Sequence, residues 1–99
     1  NIPPKVQKTL WARSGNRCAL CKVELSEITA CNSPCLIGEI AHIEGYNEGS
    51  ARYNPNMADD ERNSYDNLIL LCANCHTKID KDEITYTVQK LKRIKKEHE

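Results

Sequence analysis

The chain has 99 residues with 14 basic and 14 acidic side chains, so its formal net charge is zero. A chain this short buries too little apolar surface to be stable without a metal, disulfides or a partner. No charged-then-apolar leader opens it, and no apolar run approaches the roughly 18 residues needed to span a bilayer. We therefore expect a cytoplasmic protein in a reducing compartment.

The charges are distributed unevenly along the chain. Residues 1–36 carry five basic and two acidic side chains, residues 37–66 carry two and seven, and residues 77–99 carry seven and five. An acidic middle can hold a cation while basic flanks contact phosphates, although a solvated surface explains such runs equally well. The chain begins at Asn1 and stops inside a charged run. We expect a single domain, residues 1–99 with a core from about 10 to 80, cut from a longer protein.

The chain opens with a predicted helix that Pro4 can begin and Gly15 can end. Its apolar positions recur at three to four residues, at Val6, Leu10 and Trp11. We expect this helix to pack on the core, with Trp11 buried in the core and not stacked on a base.

A pair of cysteines separated by two residues follows the helix. Cys18 and Cys21 lie in a tight turn from which both thiolates can face one ion. Residues 23–36 are predicted to form a loop that carries Cys31 and Cys35. These two can be loop thiols, the interpretation we favour, or can complete the metal site or bind a second ion.

Two predicted strands flank a long polar segment. Residues 37–43 are rich in strand-forming side chains, and His42 lies near the end of this strand. Residues 44–67 are polar and turn-rich, too long for a hairpin turn, and long loops in compact domains are usually functional. Residues 68–71 form the second, apolar strand.

The second cysteine pair follows the second strand directly. Cys72 and Cys75 are followed by His76, and a short helix is predicted through Lys78. Beyond a short link, Thr87 is the predicted N-cap of a basic terminal helix. The apolar face of that helix consists of Val88, Leu91 and Ile94. His98 lies in its charged tail, where we expect it to be solvated.

The two cysteine pairs predict a structural metal site. Four thiolates from segments about 50 residues apart are what a closed, tetrahedral zinc site needs. In a reducing compartment paired cysteines indicate metal binding before disulfides. The sequence therefore predicts one zinc ion held by Cys18, Cys21, Cys72 and Cys75. The alternative is that the pairs form disulfides or bind nothing.

Two histidines and one asparagine remain once the zinc is satisfied. The zinc would anchor His76 at the start of its helix, and pairing of the two strands would bring His42 beside it. One imidazole can then take a proton from water near pH 7 while the other holds a cation. Asn67, directly before the second strand, can hydrogen-bond the loop that holds His42, although asparagine is also a common turn residue.

Taken together, these motifs resemble the HNH endonuclease family over roughly residues 10 to 80. Their order is a Cys-x-x-Cys pair, then Ala41-His42-Ile43, then the run from Asn67 to Cys72-x-x-Cys75-His76. The resemblance implies a small α+β fold with a ββα-metal core, a pair of structural zinc knuckles and flanking N- and C-terminal helices. The terminal run is similar to bacterial HNH domains attached to larger proteins, including antiphage effectors, which implies a fused sensor or other domain.

The resemblance also implies a reaction and the residues that perform it. His42 would be the general base, Asn67 the residue that orients its loop, and His76 a ligand of a catalytic divalent cation, Mg²⁺ or another such as Mn²⁺ or Ni²⁺. The substrate would be double-stranded DNA, cut to leave 5′-phosphate and 3′-hydroxyl ends. One site of this kind nicks one strand, so double-strand cutting requires two copies or two events.

One departure from the family pattern keeps other functions open. Many members place Asp or His immediately before the base to share the metal, whereas this chain has Ala41. Glu39, on the same strand face, or Asp66 can supply the missing ligand, and water is the remaining option. The departure also permits a zinc-stabilised nucleic-acid-binding module that does not cut. A zinc domain that only mediates protein contacts would leave His42 and Asn67 unexplained.

Overall fold

Four helices and two antiparallel two-stranded sheets make up the fold in a computed structural model that describes residues 1–99. In chain order the elements are α1 (Pro4–Ser14), β1 (Ser26–Ile28), β2 (Pro34–Leu36), β3 (Gly38–His42), α2 (Asp59–Arg62), a 3₁₀ turn (Tyr65–Asn67), β4 (Leu68–Cys72), α3 (Ala73–Lys81) and α4 (Val88–His98). The expected small α+β fold class is confirmed. None of the helices combines the length and apolar character required to cross a membrane.

Helix α1 begins and ends where the sequence predicts. Pro4 occupies its first position, and Gly15 ends it in the left-handed conformation, with φ 62°. Leu10 is fully buried, whereas Trp11, predicted to be buried in the core, is partly buried and packs against the core. A Cβ added at Gly38 would lie 2.7 Å from the Trp11 ring, so β3 approaches α1 closely only because residue 38 is glycine.

The predicted loop over residues 23–36 is wrong, because β1 and β2 form a hairpin there. Ser26 pairs with Leu36 and Ile28 pairs with Pro34. Asn32 sits in the turn with φ 59°, a left-handed conformation that asparagine tolerates. Strands of only three residues carry too little alternation to stand out in the sequence.

Strands β3 and β4 pair antiparallel, so that the end of β3 lies beside the start of β4. Gly38 lies opposite Cys72, and His42 lies opposite Leu68. The four side chains at 68–71 are fully buried, which explains why β4 is a continuous apolar run. Helix α3 packs on both strands and extends to Lys81, beyond the predicted end at Lys78, to complete a ββα unit.

The long segment between β3 and β4 is held by two buried arginines. Arg52 Nε donates to the carbonyl of Ile43 at 2.6 Å, and Arg52 Nη1 donates to the carbonyl of Ile79 at 2.6 Å. Arg62 donates to the carbonyl of Asn54 at 2.9 Å. Guanidinium groups thus satisfy backbone carbonyls that no regular element pairs, which orders a segment rich in turns.

Helix α4 closes the domain against the end of α1. Thr87 caps it as predicted, since its hydroxyl accepts a hydrogen bond from the backbone N–H of Lys90 at 3.2 Å. The expectation that His98 is solvated is wrong. Its Nε2 donates to the Ser14 carbonyl at 2.9 Å, and its Nδ1 accepts from Lys22 Nζ at 2.7 Å. A carbonyl and an ammonium converge where α4 ends, and together they satisfy both ring nitrogens.

Candidate metal centre and active site

Four cysteine sulfurs converge at one end of the ββα unit. The Sγ atoms of Cys18, Cys21, Cys72 and Cys75 all lie within 4.8 Å of one another. The Sγ atoms of Cys21 and Cys72 are 3.7 Å apart. Tetrahedral zinc with Zn–S bonds of about 2.3 Å puts its sulfurs about 3.8 Å apart, so the donor set fits a metal such as zinc.

Local backbone structure positions each pair of thiols. The first pair lies in a turn in which the Lys22 N–H donates to the Cys18 carbonyl at 3.0 Å, with Lys22 in the left-handed conformation at φ 67°. The second pair starts at the end of β4, where Cys72 is the N-cap of α3 and its sulfur accepts from the Cys75 N–H at 3.5 Å. The strand and the helix together fix this second pair.

The thiols ionise unequally, as expected for sulfurs packed closely. Burial opposes ionisation of Cys18, but backbone hydrogen bonds from Cys21, Cys72 and Leu20 outweigh it and lower the Cys18 pKa to about 7. Burial, followed by the neighbouring thiols, raises the pKa of Cys75. Cys18 therefore loses its proton more readily than Cys75 does. A cation bound among the four sulfurs would reduce the repulsion between their thiolates.

The other two cysteines lie apart from this cluster. Cys31 is exposed in the turn between β1 and β2, and Cys35 is half-buried on β2. Neither belongs to the converging group, and all six cysteines are free of disulfides. The structure therefore places Cys31 and Cys35 on the hairpin, outside the four-sulfur cluster.

His42 is held by a residue that the sequence did not single out. Its Nε2 donates to Asn63 Oδ1 at 2.9 Å, which leaves the Nδ1 lone pair free to accept a proton. The Tyr46 ring lies beside the imidazole, with centroids 5.6 Å apart. No sequence signal marks Asn63, because only the fold of the long segment brings it to His42.

The Asn67 amide joins the two ends of the long segment. Its Nδ2 donates to the carbonyls of Glu44 at 3.0 Å and Arg62 at 2.9 Å. Its Oδ1 accepts from the Glu44 N–H at 2.9 Å. Asn67 is only 1% exposed, so these bonds form inside the domain. Glu44, which takes part in two of them, lies two residues after His42 in the chain.

His76 lies between two carboxylates. Its Nδ1 is 2.8 Å from Glu39 Oε1 on β3, and its Nε2 is 3.3 Å from Asp80 Oδ2, one turn further along α3. Asp80 also pairs with Arg52 at 3.3 Å. Sequence analysis missed Asp80, although the spacing His76-x-x-x-Asp80 places both side chains on one helix face and signals a possible pair.

His42 and His76 face the same cavity, which has a volume of about 160 Å³. Asp80 and Tyr46 line it with them, together with residues of the long segment, which are Gly45, Asn47, Ser50 and Ala51. A water molecule occupies about 30 Å³, so the cavity has room for a hydrated ion or a phosphate oxygen.

The remaining candidate ligands lie elsewhere. Glu39 contacts His76 but does not line the shared cavity. Asp66 lines a different cavity, with Lys92 and Lys96. Ala41 is 1% exposed and belongs to the apolar core. His76 and Asp80 therefore bring a ring nitrogen and a carboxylate to the cavity that His42 also lines. Nitrogen and carboxylate oxygen are donor types that divalent cations accept.

The family comparison agrees with this arrangement. A family model described as HNH endonuclease matches residues 18–85. The chain belongs to the HNH endonuclease family. The matched span of this HNH domain contains both cysteine pairs, His42, Asn67 and His76, and the resemblance drawn from these motifs is confirmed. No curated protein matches the domain. HNH domains are commonly nucleases, so membership indicates a nuclease-type or nucleic-acid-related function.

Proposed function

We propose that this HNH domain is a metal-dependent DNA endonuclease that hydrolyses phosphodiester bonds. The observation that carries the proposal is the shared cavity of His42 and His76. It puts a proton acceptor and a metal-ligating nitrogen on two sides of one space, on a fold whose family is commonly nucleolytic.

His42 is the proposed general base. With Nε2 donating to Asn63, the free Nδ1 lone pair can take a proton from a water molecule in the cavity. The resulting hydroxide attacks phosphorus in line with the departing 3′ oxygen, and the P–O3′ bond breaks. Transfer of a proton from solvent to that oxygen then leaves 5′-phosphate and 3′-hydroxyl ends.

His76 and Asp80 are the proposed protein ligands of the catalytic cation. Glu39 accepts from His76 Nδ1, which fixes the tautomer and leaves Nε2 towards Asp80 and the cavity. We therefore assign Glu39 to orienting His76 and give Asp80 the direct contact in place of the residue missing at Ala41. A bound Mg²⁺, Mn²⁺ or Ni²⁺ would stabilise the charge that develops on the phosphate and the leaving oxygen.

Asn67 is a positioning residue in this proposal. Its hydrogen bonds to Glu44 hold the chain just after His42, and its bond to Arg62 holds the segment that carries Asn63. The two groups that set the position of the His42 ring are thereby tied to one buried amide. Movement of either by about 1 Å would misalign the attacking water.

The proposal extends to the biological setting of the domain. We propose structural zinc at the four clustered cysteines, a reducing cytoplasm that keeps all six cysteines out of disulfides, and double-stranded DNA as substrate. Residues 1–99 would act as one catalytic domain of a longer protein with a fused sensor or other domain. Cutting of both strands would need two copies.

The second candidate is a zinc-stabilised module that binds nucleic acid without cutting it. One observation favours it: the position next to His42 is an alanine buried in the core, so β3 supplies no ligand there. In that case, the fold and the zinc would be retained while the catalytic cation is bound too weakly to act.

Nicking of supercoiled plasmid separates the two candidates. The purified domain is incubated with Mg²⁺, Mn²⁺ or Ni²⁺, or with EDTA at a level that leaves its zinc content unchanged. We expect metal-dependent nicking that falls by about 10²–10⁴ in His42→Ala, while DNA affinity stays within a few-fold. His98→Ala is the matched control, because that histidine lies outside the cavity, and its folded fraction should nick normally. Zinc-loaded protein that binds DNA but nicks with none of the metals would establish the binding module.

A further inference from the structure

The largest cavity of the domain lies away from His42 and His76. It has a volume of about 450 Å³ and shares no lining residue with their cavity. The end of α1, the 3₁₀ turn and α4 form its walls. Its lining residues are Arg13, Tyr65, Asp66, Lys92, Lys95, Lys96 and Glu99. We refer to it as the basic cavity, because four of the seven side chains are cationic and two are anionic.

A neutral group of side chains forms the inner part of the basic cavity. Lys95 Nζ is 2.9 Å from Glu99 Oε2, and the two side chains are only 8% and 5% exposed. The Lys95 ammonium also covers the Tyr65 ring at 3.8 Å, and the Tyr65 hydroxyl donates to Glu99. The charges of Lys95 and Glu99 thus neutralise each other, while Lys95 occupies one face of the Tyr65 ring and Glu99 accepts from the Tyr65 hydroxyl.

The outer part of the basic cavity carries an excess of positive charge. Arg13 from α1 and Lys96 from α4 are exposed, and Lys92 is half-buried. Lys92 Nζ donates to the Asp66 carbonyl at 3.0 Å, which holds the ammonium at the cavity and leaves further donors free. Asp66 is the single carboxylate opposing these three cations. The excess is local, because the whole chain is neutral.

The basic cavity lies close in the chain to β4, the strand that pairs with β3 and His42. Asp66 is two residues before Leu68, which pairs directly with His42. Two residues span at most about 7 Å of backbone. Successive phosphates on one DNA strand rise by about 3.4 Å along the helix axis. A DNA strand that passes the His42 cavity therefore needs to extend by only a few nucleotides to reach the basic cavity.

We infer that Arg13, Lys92 and Lys96 bind the phosphodiester backbone of the nucleic-acid substrate, a few nucleotides from the bond that is cut. The inference rests on the proposed nuclease function and names the surface that holds its substrate. Binding there is independent of base sequence, because Lys and Arg contact phosphate oxygens and Lys95 occupies one face of the one aromatic ring. It also supplies attraction for a polyanion that residues 37–66, with two basic and seven acidic side chains, do not.

The test compares two triple variants with equal loss of charge. Arg13→Gln/Lys92→Gln/Lys96→Gln removes the cations of the basic cavity. Lys5→Gln/Lys8→Gln/Arg93→Gln removes three exposed cations that line no cavity. Both sets are built in the His42→Ala background, and unchanged zinc content and melting temperature show that each variant is folded. Binding to a fluorescent 20-base-pair DNA duplex is measured by anisotropy over a range of NaCl concentrations.

We expect the cavity variant to bind DNA about tenfold to a hundredfold more weakly and the control to stay within about threefold. The slope of log affinity against log salt should become shallower by about 2 to 3 in the cavity variant, since each lost phosphate contact removes about 0.9. Equal affinities and equal slopes for the two variants would overturn the inference, as would a loss of affinity in the control alone.

Nicking by the same two triple variants, with His42 intact, separates this inference from the proposed function. If the domain never nicks but the cavity variant alone loses DNA affinity, the nuclease proposal fails and the basic cavity remains a phosphate-binding surface. If the domain nicks and the cavity variant nicks with an unchanged KM, the nuclease proposal stands and the inference fails.

Discussion

Asn63 accepts a hydrogen bond from His42, with 2.9 Å between Oδ1 and Nε2. The bond determines which ring nitrogen carries the proton, and so which one can act as a base. Asn63 lies 21 residues after His42, between α2 and the 3₁₀ turn. The orientation of the proposed base therefore depends on the folding of the long segment between β3 and β4.

Asn63→Ala should lower kcat for nicking by about tenfold to a hundredfold with little change in DNA affinity, because the His42 ring loses the bond that orients it. Asn63→Asp keeps an acceptor oxygen at the same reach and should retain more activity than Asn63→Ala. Asn56→Ala, at an exposed asparagine of the same segment, is the control. Steady-state nicking rates test this, and equal activity of Asn63→Ala and Asn56→Ala would remove Asn63 from the site.

Substitutions of Asp80 and Glu39 should have unequal effects on the catalytic cation. Asp80→Asn removes a proposed direct ligand, whereas Glu39→Gln keeps an oxygen beside His76 Nδ1. We expect Glu39→Gln to raise the Mg²⁺ or Mn²⁺ concentration for half-maximal nicking by about tenfold, and Asp80→Asn to raise it further. Metal titrations of nicking measure both shifts. A larger shift for Glu39→Gln than for Asp80→Asn would reverse the two assignments.

Ala41→Asp is expected to destabilise the domain and not to improve metal binding. Ala41 is 1% exposed within the apolar core, so an aspartate there would bury a carboxylate. We expect the free energy of unfolding to fall by about 2 kcal/mol or more. Chemical denaturation provides the measurement. Ala41→Ser, which adds one uncharged hydroxyl to alanine, is the control. Unchanged stability together with nicking at lower metal concentration would show that residue 41 reaches the cation after all.

Removal of the proposed zinc should unfold the domain. Only 18 of the 99 residues are buried, and the four-cysteine cluster ties the turn after α1 to the end of β4 and the start of α3. We expect one zinc per chain by elemental analysis, and loss of the cooperative unfolding transition in Cys72→Ser. Cys31→Ser, on the hairpin, is the matched control and should keep both. A folded Cys72→Ser variant with full activity would contradict the assignment.

Asn67→Ala should destabilise the domain as well as slow nicking. The substitution removes three hydrogen bonds and leaves the N–H and carbonyl of Glu44 and the carbonyl of Arg62 without this partner. We expect a loss of about 3 kcal/mol in the free energy of unfolding. Urea denaturation followed by circular dichroism measures it. A loss below about 0.5 kcal/mol would show that the amide does not hold the segment.

The local signals in the sequence were sufficient for the framework of the domain. Pro4, Gly15 and Thr87 mark helix ends by backbone chemistry that needs no distant partner, and the apolar run at 68–71 identifies a buried strand. The two Cys-x-x-Cys pairs and the order of His42, Asn67 and His76 were enough to place the chain in its family. Each of these features depends on residue type and short spacing, which a sequence displays directly.

Only the tertiary structure decided which side chains meet around these residues. Asn63 reaches His42 across 21 positions, and Glu39 reaches His76 across 37. His98, which belongs to a charged tail in the sequence, is bonded to Ser14 and Lys22. Such contacts depend on the path of a long irregular segment and on how α4 packs against α1. No periodicity encodes them, because polar side chains in turns and tails acquire partners only when separate elements dock.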